Sequence, residues 1–356
     1  MVPDMTTAVL RRTAGQLFMV GLPGTALDAE TRGFLSEYTP GGVVLFKRNV
    51  ASGVQLRRLV AEVKASGAGV PPLVAIDHEG GRVDRLRRPF THFPPALAVA
   101  AAGSEAAHRV GRAMGRELAA VGIDVDFAPV LDVWSTPRNR VIGDRAFGTA
   151  PGAAARGALA FARGLREAGV VACGKHFPGH GGTIGDSHHV RPRLARTRRE
   201  LERIDLVLFR RAIAARIPTL MTAHVVYPAL DPRHPATLSR RICHDLLRRR
   251  LGFRGVLFSD DLEMHAVSRR PIERVTVDAL AAGCDMLLVC ASLDLARRGI
   301  DAVARAIDRG ALKPGAIAAS LARIQALRRR RTPPPAPRLG WPAHAALARR
   351  LARRTP

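Results

Sequence analysis

The sequence predicts an α/β protein, a (β/α)8 TIM barrel built as a single domain, and three observations carry that prediction. Short apolar runs rich in Val, Ile, Leu and Phe recur along the chain, with amphipathic stretches of helical period between them. Eight such runs fall between residues 16 and 289, close to the roughly 250 residues over which a parallel barrel closes. Residues able to do chemistry cluster directly after the runs, on the side that a closed parallel barrel gathers into one face. A doubly wound open sheet is the alternative. At 356 residues and 38.3 kDa the chain has room for one barrel or for two average domains.

In order, the predicted strands are residues 16–21, 42–46, 73–76, 125–128, 170–174, 219–222, 255–258 and 286–289. Helical periodicity fills 53–65, 104–120, 153–168, 198–215, 239–251, 272–282 and 293–309. The second run is followed by Lys47, Arg48 and Asn49, and the third by an unbroken polar segment from Asp77 to Arg85 interrupted by Gly80 and Gly81. After the fourth come Pro129 and Asp132, then Gly143-Asp144-Arg145-Ala146-Phe147-Gly148. The fifth opens into Cys173–192, a glycine-rich loop with four histidines, one lysine and one aspartate. The sixth precedes Ala223-His224, and the seventh Ser259-Asp260-Asp261-Leu262-Glu263-Met264.

Composition narrows the function classes. A hydrophobic content of 47% with 24% charged residues is that of a globular chain, and nothing approaches the roughly 20 apolar residues of a membrane span. No small-residue cleavage site follows Arg11 and Arg12, so no secretory signal is evident and a cytoplasmic location is expected. Cys173, Cys243, Cys284 and Cys290 form no C-x-x-C pair, which suits buried thiols in a reducing compartment. The net charge of +26 invites a nucleic-acid reading, but twelve basic residues and no acidic one lie from Arg309 onward. The remaining arginines are scattered over helix faces, so nucleic acid is not expected as a required partner. An anionic substrate or a polyanion-binding tail stays open. Residues 1–331 are read as the barrel domain and 332–356 as a Pro/Arg-rich appendage, expected to be disordered and dispensable for the barrel's chemistry.

The loops suggest the chemistry. Lys175 is one of four lysines in a chain whose other cations are arginines, so a compact ammonium at a strand end looks selected. Asp260 sits where a strand leaves the barrel and can serve as a nucleophile or as partner to a developing cation; Asp261 competes for the role. Asp186 stands two residues before His188, a spacing that lets a carboxylate orient an imidazole acid/base. Asp77, Arg85, Arg145, Lys175 and His176 offer charge-assisted bonds of the kind that grip hydroxyls and amides. Structural readings stand beside these: a strand-end Asp caps helices, Glu79 pairs with Arg82 at the surface, and Arg145 bridges to Asp144 or Asp132. A metal site built from His176, His180, Asp186, His188 and His189 lacks an H-E-x-x-H or any fixed helical spacing, so no metal and no other cofactor is expected.

Gly-Gly-Val-Val-Leu-Phe, Ile-Asp-His-Glu-Gly-Gly-Arg-Val, Asp-Phe-Ala-Pro-Val-Leu-Asp-Val, Ile-Gly-Asp-Arg-Ala-Phe-Gly, Lys-His-Phe-Pro-Gly-His-Gly, Asp-Ser-His and Phe-Ser-Asp-Asp-Leu-Glu-Met occur in that order. Over about residues 10–330 the chain thereby resembles the bacterial β-N-acetylglucosaminidases (β-hexosaminidases) of glycoside hydrolase family 3, the cytoplasmic peptidoglycan-recycling type. The resemblance implies a retaining mechanism with Asp260 as nucleophile, His188 as acid/base and Asp186 as its orienting partner. It assigns sugar binding to Asp77, Arg85, Arg145, Lys175 and His176, and implies a monomer acting on N-acetylglucosamine-containing glycans or muropeptides. The chain is too short for the sandwich domain of many family β-glucosidases, which favours the hexosaminidase branch; another exo-glycosidase or a phosphorylase on this scaffold is the alternative. Three departures stand out: His78 where glutamine is common, Gly182 where aspartate or asparagine is usual, and a basic tail with no family counterpart.

Overall fold

Eight parallel strands close on themselves in the computed structural model, which describes residues 5–67, 70–86, 88–184, 192–329 and 339–353. They are β1 Phe18–Gly21, β2 Gly42–Leu45, β3 Leu73–Ile76, β4 Val125–Asp126, β5 Val171–Phe177, β6 Thr219–Thr222, β7 Val256–Asp261 and β8 Met286–Val289. Each pairs in parallel with its neighbour in sequence, and β8 returns to β1 with Leu287 opposite Phe18. Most strands are buried along their whole length, because helices cover the outside and side chains fill the inside; that is why they read as apolar runs and not as alternating ones. A small hairpin, Val226–Tyr227 with Asp231–Pro235, lies outside the barrel.

Three strand ends differ from expectation, and each difference moves chemistry. β5 runs on to Phe177, so Lys175 and His176 belong to the strand and not to the loop after it. β7 runs to Asp261 and carries Asp260 within the barrel wall. β4 stops at Asp126, ahead of Pro129, whose missing N–H removes a ladder donor; Val130 then bridges to Lys175.

All seven expected helices form, as Gly53–Ala65, Ser104–Ala120, Pro151–Glu167, a continuous stretch over 198–214, Arg241–Arg250, Ile272–Ala282 and Leu293–Asp308. Two have wide π-type turns, over Leu201–Asp205 and along Arg241–Arg250. The helix Ala29–Tyr38 completes the first repeat. Asp28 caps it by accepting from the Thr31 N–H at 2.7 Å, and Thr31, Phe34, Leu35 and Tyr38 form its buried stripe.

The expectation of disorder after residue 331 fails for part of that segment. Pro342–Ala352 is a helix with proline at its first position, and it buries Leu347, Ala348 and Leu351 against Ser104–Ala120 and Ala96–Ala101. Among the described residues no helix is long and apolar enough to cross a membrane.

Candidate active site

The loop after β3 starts the site. Asp77 leaves the strand partly exposed, and Glu79, two residues on, is buried. Gly80 and Gly81 take positive φ values of 84° and 54°, which lets the chain reverse so that Glu79 N donates to Val83 O at 2.9 Å. A side chain at Gly81 would come within 2.9 Å of the Pro95 backbone.

Glu79 turns inward, not out to Arg82. Arg145 grips it with two bonds, Nε to Oε2 and Nη2 to Oε1, both 2.8 Å, and Lys175 Nζ lies 2.6 Å from Oε1. Arg82 bonds Asp144 at 3.2 Å and the carbonyls of Arg140, Val141 and Ile142 instead. Arg145 therefore bridges to neither Asp144 nor Asp132. Lys175 also reaches Asp77 Oδ1 at 2.5 Å, so Asp77, Glu79, Arg145 and Lys175 form one ionic cluster. Burial opposes ionisation of Glu79, but the charges of Arg145 and Lys175 outweigh it and hold its carboxyl far below the usual range. Burial likewise works against the Lys175 ammonium, yet Asp77 and Glu79 raise its pKa above the ordinary value.

His176, next on β5, is set by Asp132. Its Nδ1 lies 2.7 Å from Asp132 Oδ2, and the other carboxylate oxygen accepts from the N–H groups of His176 (3.3 Å) and His180 (2.6 Å). His180 is pushed down to about 4 by burial and by His176, against the pull of Asp132, so it is neutral. Asn139 ties the segment to the loop carrying Arg145: its Nδ2 donates to His180 O at 2.8 Å and its Oδ1 accepts from Ile142 N at 2.9 Å. The glycines here serve close approach, since a Cβ on Gly181 would sit 1.8 Å from Val133 O.

Asp260 ends the arc. Burial would raise its pKa, but His224, His176, the Asp261 N–H at 2.9 Å and Lys175 together keep it below the usual value, as a carboxylate. Asp261 is the opposite case: burial, Glu263 and Asp260 push it up to about 7, while its Oδ1 accepts from Glu263 N at 3.1 Å. Two adjacent carboxyls are thus driven apart in acidity, so that one is held as a carboxylate and the other toward its protonated form. His224 is buried, with Nε2 2.9 Å from Asp261 O and Nδ1 2.7 Å from Thr237 Oγ1.

Arg85 lies on the β3 loop with its backbone N–H donating to His78 Nδ1 at 3.4 Å. Burial lowers the His78 pKa against the pull of Asp84, and so favours the neutral ring. The Arg85 Nε is buried and has no hydrogen-bond partner among the described residues. Asp186 and His188 lie outside the described residues. Of the expected residues, Asp77 and Lys175 meet directly, Arg145 joins them through Glu79, His176 and Asp260 adjoin them on the same face, and Arg85 stands on the same loop as Asp77. Glu79, Asp132, Asn139 and His224 were not expected as site residues; only the polar stretches after β3, β4 and β6 pointed toward them.

The model of the glycosyl hydrolase family 3 N-terminal domain matches residues 9–327. A β-hexosaminidase of Alkalilimnicola ehrlichii is 46% identical over 280 residues, 76% of this chain and 80% of the relative, and one of Methylococcus capsulatus is 46% identical over 278 residues. Among solved structures, a family 3 β-N-acetylglucosaminidase from Paenibacillus sp. superposes with a TM-score of 0.93 at 38% identity, covering 97% of this chain and 68% of that one. That share takes in part of the segment after residue 331. NagZ from Neisseria gonorrhoeae in complex with N-trifluoroacetyl-D-glucosamine superposes with a TM-score of 0.74 at 36% identity, covering 88% of this chain and 98% of that one.

Proposed function

The chain belongs to glycosyl hydrolase family 3, and on that premise we propose that it is a retaining exo-glycosidase releasing terminal, non-reducing β-linked N-acetylglucosamine. It is a β-N-acetylhexosaminidase, as its curated relatives are β-hexosaminidases. The natural substrates we propose are peptidoglycan-derived muropeptides, processed in the cytoplasm during cell-wall recycling by a monomer that needs neither cofactor nor nucleic acid. The observation that carries the mechanism is the ionised Asp260 at the barrel mouth, beside the cluster of Asp77, Glu79, Lys175 and Arg145.

The Asp260 carboxylate attacks the anomeric carbon, forming a glycosyl ester as the bond to the aglycone oxygen breaks. His188, oriented by Asp186, gives that oxygen a proton. Water then attacks the same carbon, loses a proton to His188 and frees Asp260, so the net reaction is hydrolysis. Lys175 spends two N–H donors on Asp77 and Glu79, and its third, with the second oxygen of Asp77, serves sugar hydroxyls. The Arg85 Nε adds a donor that no described residue uses. Arg145, fixed on Glu79, and His176, fixed on Asp132, complete the grip.

Aryl N-acetylglucosaminides of graded leaving-group pKa test the proton donor. His188→Ala is expected to lose much less kcat/KM with a good leaving group than with a poor one, and Asp186→Ala to show a weaker form of the same trend. A uniform loss along the series removes the acid role. Release of N-acetylglucosamine 1-phosphate in phosphate buffer would replace hydrolysis by phosphorolysis.

A further inference from the structure

We propose that the C-terminal helix Pro342–Ala352 positions the sugar-binding loop after β3, with His344 acting through Glu117. The proposal rests on the reading that this loop grips the sugar. Glu117 lies on the helix Ser104–Ala120 and is 1% exposed, a depth at which a carboxylate is costly unless both oxygens are bonded. Its Oε2 accepts from the Thr91 N–H at 2.7 Å, and its Oε1 faces His344 Nδ1 at 2.8 Å, which must be the donor. Two segments far apart in sequence are therefore held by one buried anion.

From Thr91 the connection continues to the sugar grip. His92 bonds Asp84 at 2.5 Å, Asp84 accepts from Leu86 N at 3.1 Å, and Arg85 between them donates to His78. Trp341 fixes the other end: it lies 5.9 Å from Phe90 and stacks on the His344 ring with 4° between the planes. Losing the His344 donor leaves Glu117 Oε1 buried and unpaired, and the loop has to shift to rehydrate it. The proposal runs against the expectation that residues after 331 are dispensable.

The test is steady-state hydrolysis of 4-nitrophenyl N-acetyl-β-glucosaminide by the full chain, with thermal unfolding alongside. For His344→Ala, KM should rise about fivefold, the scale of one ordinary intramolecular hydrogen bond, while kcat stays within about twofold. His344→Asn, whose Nδ2 takes the place of Nδ1, should restore most of the affinity. A lower Tm with unchanged KM overturns the proposal, as does an equal KM rise for Asn and Ala. If His344→Ala does not fold, Trp341→Ala decides on the same readout: a raised KM supports the clamp and an unchanged one rejects it. Arg85→Ala is measured in parallel. An unchanged KM there removes Arg85 from the sugar grip, while the His344 pair still decides the clamp on its own.

Discussion

Two buried carboxylates, at opposite ends of the barrel, are held by similar means and left in different states. Asp285, just ahead of β8, accepts from Leu257 N at 2.8 Å and Ser320 Oγ at 2.7 Å, and pairs with Arg248 and, at 2.9 Å, with Arg323. Glu79, at the other end, is gripped by Arg145 and Lys175. Around Asp285 the bonding is closed. Around Glu79 it is open: Arg85 Nε, Asp126 Oδ2 and His180 Nε2 are all buried without a hydrogen-bond partner among the described residues. An unmet buried polar group is costly, and three of them gathered beside one ionic cluster suit a place where a ligand or water meets them. Ion pairs alone do not distinguish Glu79 from Asp285; the unmet polar atoms gathered around Glu79 do.

The sharpest way to break the comparison is at the proposed nucleophile. Asp260→Ala is expected to lower kcat at least about a thousandfold with little change in Tm, because the side chain serves chemistry and not packing. Asp261→Ala should retain far more activity. If the two variants exchange phenotypes, the open end has been read from the wrong carboxylate.

Next in size are the two gripped anions themselves. Asp285→Ala leaves Arg248 and Arg323 without their anion and should cost about 3–5 kcal/mol in stability, while the folded fraction keeps its kcat/KM. Glu79→Gln should lose kcat/KM by about a hundredfold, since Arg145 and Lys175 are no longer aimed. Unfolding curves and kinetics on both proteins check this. A large activity loss in folded Asp285→Ala would erase the distinction between the two ends.

These residues also show what the sequence could and could not reveal. The strands were legible because burial on both faces makes each a continuous apolar run, and Lys175 was legible because the chain spends so few lysines. Glu79 was misread because local spacing offers Arg82 three residues away, whereas its partner Arg145 lies 66 positions along the chain. Asp132 was overlooked as a positioning group for the same reason, with His176 44 positions away. The tail helix was read as disordered because its proline-led, arginine-rich sequence has no core of its own; Leu347 and Leu351 become a buried stripe only against Ser104–Ala120.

The smallest expected effect sharpens the comparison within the open end. Asp261 is pushed up to about 7 by burial, Glu263 and Asp260, whereas an unfolded aspartate titrates near 4. Between those values the folded chain holds a proton that the unfolded chain has released, so stability falls as pH rises from about 4 to about 7. Asp261→Asn keeps an oxygen for the Glu263 N–H and has no proton to lose. Its Tm should match the parent near pH 4 and exceed it by a few degrees near pH 8, a gap that opens across the window. Asp260 is shifted the other way, toward the carboxylate. Asp260→Asn should therefore show no such gain on the alkaline side. If instead the gain belongs to Asp260→Asn, the protonated carboxyl is Asp260, and the free carboxylate needed for attack has to be Asp261.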